Sequence, residues 1–367
     1  MAFDTTDVLL SILKIVIILS VWLTVAPIML WVERRGSALI QDRPGPNRVG
    51  PFGLFQGLAD AVKFLMKEDI VPAQAHKWLY TIAPTFGLLP ALTTIAVVPW
   101  GRAFHIRELH IGGFTLFEGG RWFNPIVADV SAGILVVFAL ASLAVYGVTI
   151  AGWSSANKYS MFGAIRASAQ MISYELALTL AAVSALLVAG SLRLTDVVAQ
   201  QTTYNFVLFD LIKIPAWNVF SPAMWLAFII FSVAAFAETN RLPFDFAEAE
   251  SELVAGYHTE YSSMKFALFF MGEYMSMATM SALVVTLFLG GWDIPWYQEP
   301  PTLLGGILSF ISFLLKVGVL MFVFVWVRWT IPRLKYDILM RLGWKVFLPL
   351  ALFNIVLVAA FIAAGWI

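Results

Sequence analysis

Six acidic side chains crowd the stretch between Glu238 and Glu260: Glu238, Asp245, Glu248, Glu250, Glu252 and Glu260, with Arg241 the one fixed cation among them. Carboxyls packed so closely cannot all ionise cheaply. Like charge and desolvation favour the neutral acid at some, whereas Arg241 favours the charged form of its nearest neighbour. Proton exchange requires such groups, whose charge is switched by a modest change nearby. On a helix Glu248 and Glu252 share a face and Glu250 points away. Phe244, Phe246, Leu253 and Tyr257 are interleaved with the acids. They either line a slot for an amphiphile with a long tail or make ordinary helix packing.

More ionisable groups sit inside long apolar runs. Glu175 lies nine residues beyond Arg166, about 13 Å at 1.5 Å per residue. Glu273 and Lys316 each lie ten residues into a run. A charge facing lipid at such depth costs about 2.5–3.5 kcal/mol or more, so these three are expected to face one another, a polar cavity or a partner. Lys14 and Asp129 lie near the ends of their runs and can snorkel to water. Arg34 and Arg35, at the end of the first run, fit a general excess of cations on one side as well as they fit a site.

The scaffold that must position these residues is a membrane bundle. The 367 residues are 60% hydrophobic and 13% charged, with a mean hydropathy of +0.83. Soluble domains carry about 25% charged residues. Eight apolar runs of about 20 residues, near 8–32, 78–99, 126–151, 162–190, 222–240, 263–290, 306–331 and 344–364, predict an all-α polytopic unit of about eight spans. With the N-terminus outside, sixteen Lys and Arg fall on the inner side and five on the outer, the bias of a positive-inside protein. The N-terminus has no basic leader followed by a small-residue cleavage site, so the first run is expected to stay as a helix. The first inner loop, ERRGSALIQDRPGPNRVGPFG, is rich in Gly, Pro and Arg, which suits a tightly turned, ordered segment. After it, 51–67 reads as an amphipathic helix in the membrane plane. Gln56, Asp60, Lys63 and Lys67 form its polar stripe, and Phe55, Leu58, Val62 and Leu65 face the other way. Residues 101–125 and 191–218 read as plain outer connections.

Composition also excludes chemistry. There is no Cys, so the chain cannot supply thiolates to an iron–sulfur cluster. His105 and His110 stand outside any zinc-type pattern, and no G-x-G-x-x-G or Walker motif appears. A formal net charge of zero argues against nucleic acid. Two classes of function remain. One is a proton-coupled secondary transporter; the other is the membrane subunit of a redox complex, which binds a lipid-soluble carrier and relays protons without a redox centre. The large ordered inner loops, which offer a docking face, favour the second.

Four long stretches are recognisable: VERRGSALIQDRPGPNRVGPFGLFQGLADAVKFLMKE (32–68), SLAVYGVTIAGWSSANKYSMFGAIRASAQMISYE (142–175), AETNRLPFDFAEAESELVAGYHTEYSSMKFALFFMGEY (237–274) and VRWTIPRLKYDILMRLGWKVFLPL (327–350). They run without gaps, and with them the chain resembles the family of quinone-site membrane subunits of respiratory complex I, the proton-pumping NADH:quinone oxidoreductase. The resemblance covers nearly the whole chain, which it makes a single domain. It implies that the 33–51 loop, the in-plane helix and the acidic loop, about 238–262, form the membrane side of a quinone chamber. Glu33, Arg34, Arg43, Arg241, Phe244, Asp245, Glu248, Glu250, Glu252 and Arg328 would line or shape it, with Phe244 in a packing role. Glu175, Glu238 and Glu273, with Lys316, would belong to the acidic path leading away. Quinone would be the substrate, with FMN and iron–sulfur clusters in partner subunits. The implied partners are two soluble subunits that complete the pocket and neighbouring small and antiporter-like membrane subunits. The implied setting is the bacterial inner membrane. Membrane-bound hydrogenases and other quinone-linked dehydrogenases use a similar subunit and are the alternative within the redox class.

Overall fold

The structure is a computed structural model that describes residues 5–106, 109–111, 114–116, 121–202, 206–208, 212–246, 254–297 and 300–365. Each of the eight apolar runs forms a helix. Among the described residues the helices, in chain order, are α1 (Thr5–Ile40), α2 (Gln56–Met66), α3 (Lys77–Thr94), α4 (Gly133–Ser154), α5 (Lys158–Ala189), α6 (Leu194–Gln201), α7 (Pro222–Glu238), α8 (Ser263–Phe288), α9 (Leu303–Thr330), α10 (Tyr336–Arg341) and α11 (Leu348–Ala363). A single π turn, Leu342–Phe347, joins the last two. Six are long and apolar enough to cross a membrane: α1, α4, α5, α8, α9 and the continuous Tyr336–Ala363. The 17-residue α7 is shorter, and α3 holds Pro84 and Pro90 within 18 residues.

The outward faces are apolar. On α9, Ile307, Ile311, Leu315, Val319, Phe322 and Trp326 are all exposed, and their spacing of three and four draws one stripe along the helix. A stripe of this length is foreign to a water-facing surface and suits lipid or another apolar protein face. Inside, close approach replaces the hydrophobic drive that lipid cannot supply. Gly147 of α4 and Gly272 of α8 both meet α3 at Gly87. A Cβ on Gly147 would lie 2.8 Å from the Gly87 nitrogen, and one on Gly272 3.2 Å from its carbonyl carbon. On α5, Ala177, Ala181, Ala182 and Ala185 are buried in the same way.

The in-plane helix is shorter than the expected 51–67 and comes in two pieces, a 3-10 turn over Pro51–Gly53 and then α2. Its polar stripe meets the protein at Asp60, which pairs with Arg34 at 2.7 Å and with Lys63 at 3.4 Å, while Lys63 and Lys67 themselves are exposed. Leu58, Val62, Leu65 and Met66 are exposed on the other side. Gly57 lets α2 lie against α1 at Pro27, where a Cβ would come within 2.8 Å of the proline ring. An exposed apolar face opposite a polar stripe is the arrangement expected at a membrane surface.

The connections hold more order than their sequences suggest. Residues 104–123 contain two antiparallel pairings, β1 (Phe104–Ile106) with β4 (Arg121–Phe123) and β2 (Leu109–Ile111) with β3 (Phe114–Leu116). A third joins β5 (Phe206–Leu208) to β6 (Ile212–Ile214).

His258 closes a short 3-10 turn before α8 and is enclosed by the rings of Tyr257, Phe266 and Phe270 at 5.0–5.9 Å. Burial lowers its pKa from 6.5 to about 4. Between those values the unfolded chain holds a proton that the folded chain refuses. The stabilisation is therefore complete above pH 6.5 and is lost as pH falls towards 4. Shifting from pH 7 to pH 5 should cost about 2 kcal/mol through this residue. Denaturation midpoints at the two pH values should show that loss in the native protein and not in His258→Gln; an equal loss in both would assign it elsewhere.

Candidate functional site

Three helices and the turn after α7 bring charge to one end of the bundle. Glu33 comes from the last turns of α1, Glu273 and Tyr274 from α8, and Arg328 from the last turn of α9. Arg241 comes from the turn after α7, where Asn240 takes a left-handed φ of 52°, a conformation that asparagine tolerates better than most residues. Arg241 is only 4% exposed. Its Nη1 lies 3.2 Å from Glu33 Oε2 and its Nε 2.8 Å from Glu273 Oε1. Arg328 donates to the other oxygen of Glu33. The Tyr274 hydroxyl donates to Glu33 Oε2 at 2.8 Å, and its ring lies 4.5 Å beneath the Arg241 guanidinium.

Two carboxylates and two guanidiniums make this knot neutral as a set. Burial pulls the Arg241 guanidinium towards neutrality, but Glu273 and Glu33 outweigh it and hold the charge in place. Pairs so buried are costly to break, because the survivor is left as an uncompensated charge. Arg241 Nη2 is buried without a hydrogen-bond partner among the described residues, a spare donor inside the knot.

Behind the knot lies room for water. Glu273 and Glu238 border one cavity of about 50 Å3, together with Asn240, Tyr257 and Ser276. Glu238 also borders a second of about 30 Å3, with Thr94, Ser276 and Thr279. A water needs about 10–15 Å3, so each has room for at least one. Glu238 is itself buried, and its Oε2 has no hydrogen-bond partner among the described residues. Glu175 is close enough to interact electrostatically with Glu238. It accepts a hydrogen bond from Ser142 of α4 and is partly exposed on the outward face that α4 and α5 share.

The remaining expected residues are spread around this centre. Arg34 is tied to Asp60, as described. Arg43 is exposed and donates to Gln41 at 2.7 Å. Asp245 pairs with Arg333 at 2.9 Å. Phe244 is buried against Tyr174, with ring centroids 5.4 Å apart, in keeping with packing. Glu248, Glu250 and Glu252 lie outside the described residues. Lys316 is not brought to the acids. Its Nζ donates to the carbonyls of Leu289, Gly291 and Asp293 at 2.7–3.0 Å and sits 4.0 Å over the Trp217 ring. Gly290 and Gly291 adopt φ of 70° and 54° in that turn, and backbone acceptors of this kind carry no mark in a hydropathy pattern.

Reasoning from sequence missed Tyr274, Arg333, Ser142 and Gln170. Gln170 had a signal, a long polar side chain in the middle of an apolar run; it is fully buried.

A bundle of membrane-length helices, with a neutral knot of buried charge at one end and carboxyls leading inward from it, defines an integral membrane protein. The chain belongs to the NADH dehydrogenase family, which matches residues 13–359. It is 47% identical over 361 residues to an H-type NADH-quinone oxidoreductase subunit of Geobacter metallireducens, covering 98% of this chain and 97% of the relative. It is 45% identical over 354 residues to the H-type NADH-quinone oxidoreductase subunit of Leptospira biflexa, covering 96% and 95%. It is 44% identical over 357 residues to NADH-quinone oxidoreductase subunit 8 of Rhodothermus marinus, covering 95% of each. The resemblance carried by the four motif stretches thus extends over almost the full chain. These names favour the complex I subunit over the hydrogenase and transporter alternatives.

Proposed function

We propose that this chain is the membrane wall of the quinone chamber of an NADH:quinone oxidoreductase and passes the charge change at the quinone head to an acidic path in the bilayer. The observation that carries this reading is Arg241, which joins Glu33 to Glu273 while Glu273 also borders the cavity that holds Glu238. FMN and iron–sulfur clusters belong to the partner subunits, two of which complete the chamber; they supply two electrons, and the quinone takes up two protons to leave as quinol. This chain's part is to hold the chamber wall and to move protons.

Negative charge developing near the knot competes with Glu273 for Arg241. Release of Glu273 leaves a carboxylate at the cavity mouth, free to take a proton and pass it through water to Glu238. From Glu238 the step to Glu175 crosses to the outward face of α4 and α5, where Leu143, Ile172 and Leu176 are exposed. A carboxyl set among exposed apolar residues at mid-span is costly against lipid, so this face is where a neighbouring membrane subunit takes over the path. The exposed side of α2, with Phe52 beside Trp31 of α1, frames the access of the quinone tail. With the charged end inside, the N-terminus lies outside, as expected of a bacterial inner-membrane protein.

A photoreactive quinone analogue added to the assembled complex should label residues in 33–67 or 238–260. Labelling confined to 101–125 or 191–218 would place the quinone at the wrong end of the bundle and remove the reading.

A further inference from the structure

The stretch SSANKYSMFGAIRASAQ at the start of α5 is not used by the site as described, yet it touches both feet of the acidic loop. Asn157 donates to the Glu260 carboxylate at 2.6 Å. Ser160 donates to the Tyr257 carbonyl at 2.7 Å. Gly163 packs so close that a Cβ would lie 2.8 Å from Gly256 Cα. The Arg166 guanidinium then lies over the edge-to-face pair of Phe246 and Tyr336, 5.3 and 5.1 Å from the two ring centroids. Finally, Gln170 Nε2 donates to the carbonyls of Ala237 and Phe244 at 2.8 and 2.7 Å. Steps of three and four residues make these side chains successive neighbours on the helix surface, over about 20 Å of α5.

Gln170 is the member that reaches the charged groups. The two carbonyls it ties bracket Glu238 and Arg241, so one side chain fixes the cavity carboxyl relative to the centre of the charge knot. It does so from a fully buried position and keeps its own Oε1 without a hydrogen-bond partner among the described residues. An apolar residue of the same volume would fill the space equally well but would take the amide donor from both carbonyls, leaving Ala237 O with the longer bond from Asn240 N at 3.3 Å and Phe244 O with that from Phe246 N at 3.1 Å. Each buried hydrogen bond lost has a cost, and with the two goes the side-chain tie between the end of α7 and the turn at Phe244. Five residues further along α5 stands Glu175, so the helix that holds the loop also carries the next carboxyl.

Resting on the quinone-chamber reading, we propose that Gln170 is a positioning residue for proton transfer between Glu273 and Glu238. Residues 157–170 hold both feet of the acidic loop against the helix that carries Glu175. The essential property is donation to two carbonyls, which a carboxylate cannot supply and a neutral carboxylic acid supplies in part.

The test compares Gln170→Leu and Gln170→Glu in the assembled complex, with Glu238→Gln alongside, for coupled quinone reduction and for reduction of an artificial acceptor by the soluble module. Gln170→Leu should lower the coupled rate about tenfold or more at every pH and leave the artificial reaction unchanged. Gln170→Glu should recover part of the coupled rate as pH is lowered from about 8 to about 6, because only its neutral form can donate. The charged groups on the elements around the position are Glu238 on α7, Arg241 and Asp245 in the turn, Arg333 through Asp245, and Arg166 and Glu175 on α5; all are present in both variants. A role in folding alone would change the amount of complex and not the shape of that profile. Should Gln170→Leu fail to assemble, the near-isosteric Gln170→Glu decides. A coupled rate with the native pH profile in Gln170→Glu overturns the proposal. If Glu238→Gln also keeps the native rate, the proton-path reading falls with it, and the chamber is left to the labelling experiment. If Glu238→Gln is impaired, the failure is confined to Gln170.

Discussion

Arg241→Gln should lower coupled quinone reduction by the assembled complex by about a hundredfold or more, with the artificial-acceptor reaction preserved. The knot holds two carboxylates and two guanidiniums. Removing Arg241 leaves Glu273 without its ion pair and Glu33 with Arg328 alone among the guanidiniums. Breaking a buried pair from one side costs about 3–5 kcal/mol, and each 1.36 kcal/mol that reaches the transition state is tenfold in rate. The arithmetic of charge supplies a control. Arg241→Gln with Glu273→Gln restores equal numbers of positive and negative groups, so assembly should recover in the double variant. Coupling should not, because the carboxyl that takes the proton has gone. Arg241→Lys should recover little, since a single ammonium cannot reproduce the fork that spans Glu33 and Glu273. A double variant that assembles no better than Arg241→Gln would show that the pairing does not hold the knot together.

The second large effect concerns Glu238. Glu238→Gln keeps the shape of the side chain and removes its capacity to carry a proton, so coupled quinone reduction should fall by at least about tenfold. Glu175→Gln should act in the same direction. Neither should affect the soluble module with an artificial acceptor, because both lie behind the knot from the chamber. Native coupled rates in both variants would remove the path from Glu273 to Glu175, while leaving the chamber assignment to the labelling experiment.

Much of this molecule can be read from its residues, and the limits have physical causes. Apolar runs of membrane length become helices because a backbone out of water has to satisfy its own hydrogen bonds. The end of α3 was overestimated for the same reason that the runs are easy to see. Ile95, Val97, Val98 and Trp100 are as apolar as a span, yet they belong to a turn and its sequel packed into the core. Hydropathy does not separate those two fates. The small hairpins of the connections were invisible because strands of three residues have too few positions to show alternation.

At the site, residue types were legible and partnerships were not. Glu33, Arg241, Glu273 and Arg328 were all identified, but nothing along the chain says that an acid at 33 meets cations at 241 and 328. Such convergence depends on helix packing. Glu273 was expected as a proton carrier, and its ion pair with Arg241 has no mark in the sequence. Lys316 was grouped with the acids by depth alone, whereas three backbone carbonyls in a glycine turn hold it. Gln170 stood in plain view, but its two nearest acceptors are carbonyls of Ala237 and Phe244 that any residue would present.

The central claim is that reduction of quinone changes the charge state of carboxyls in this chain, Glu238 above all. Redox-induced infrared difference spectra of the reconstituted complex test it most directly. Native complex should show a carboxyl C=O band that changes on quinone reduction, and the band should be lost or displaced in Glu238→Gln. Identical carboxyl difference spectra from the native and Glu238→Gln complexes would contradict the account.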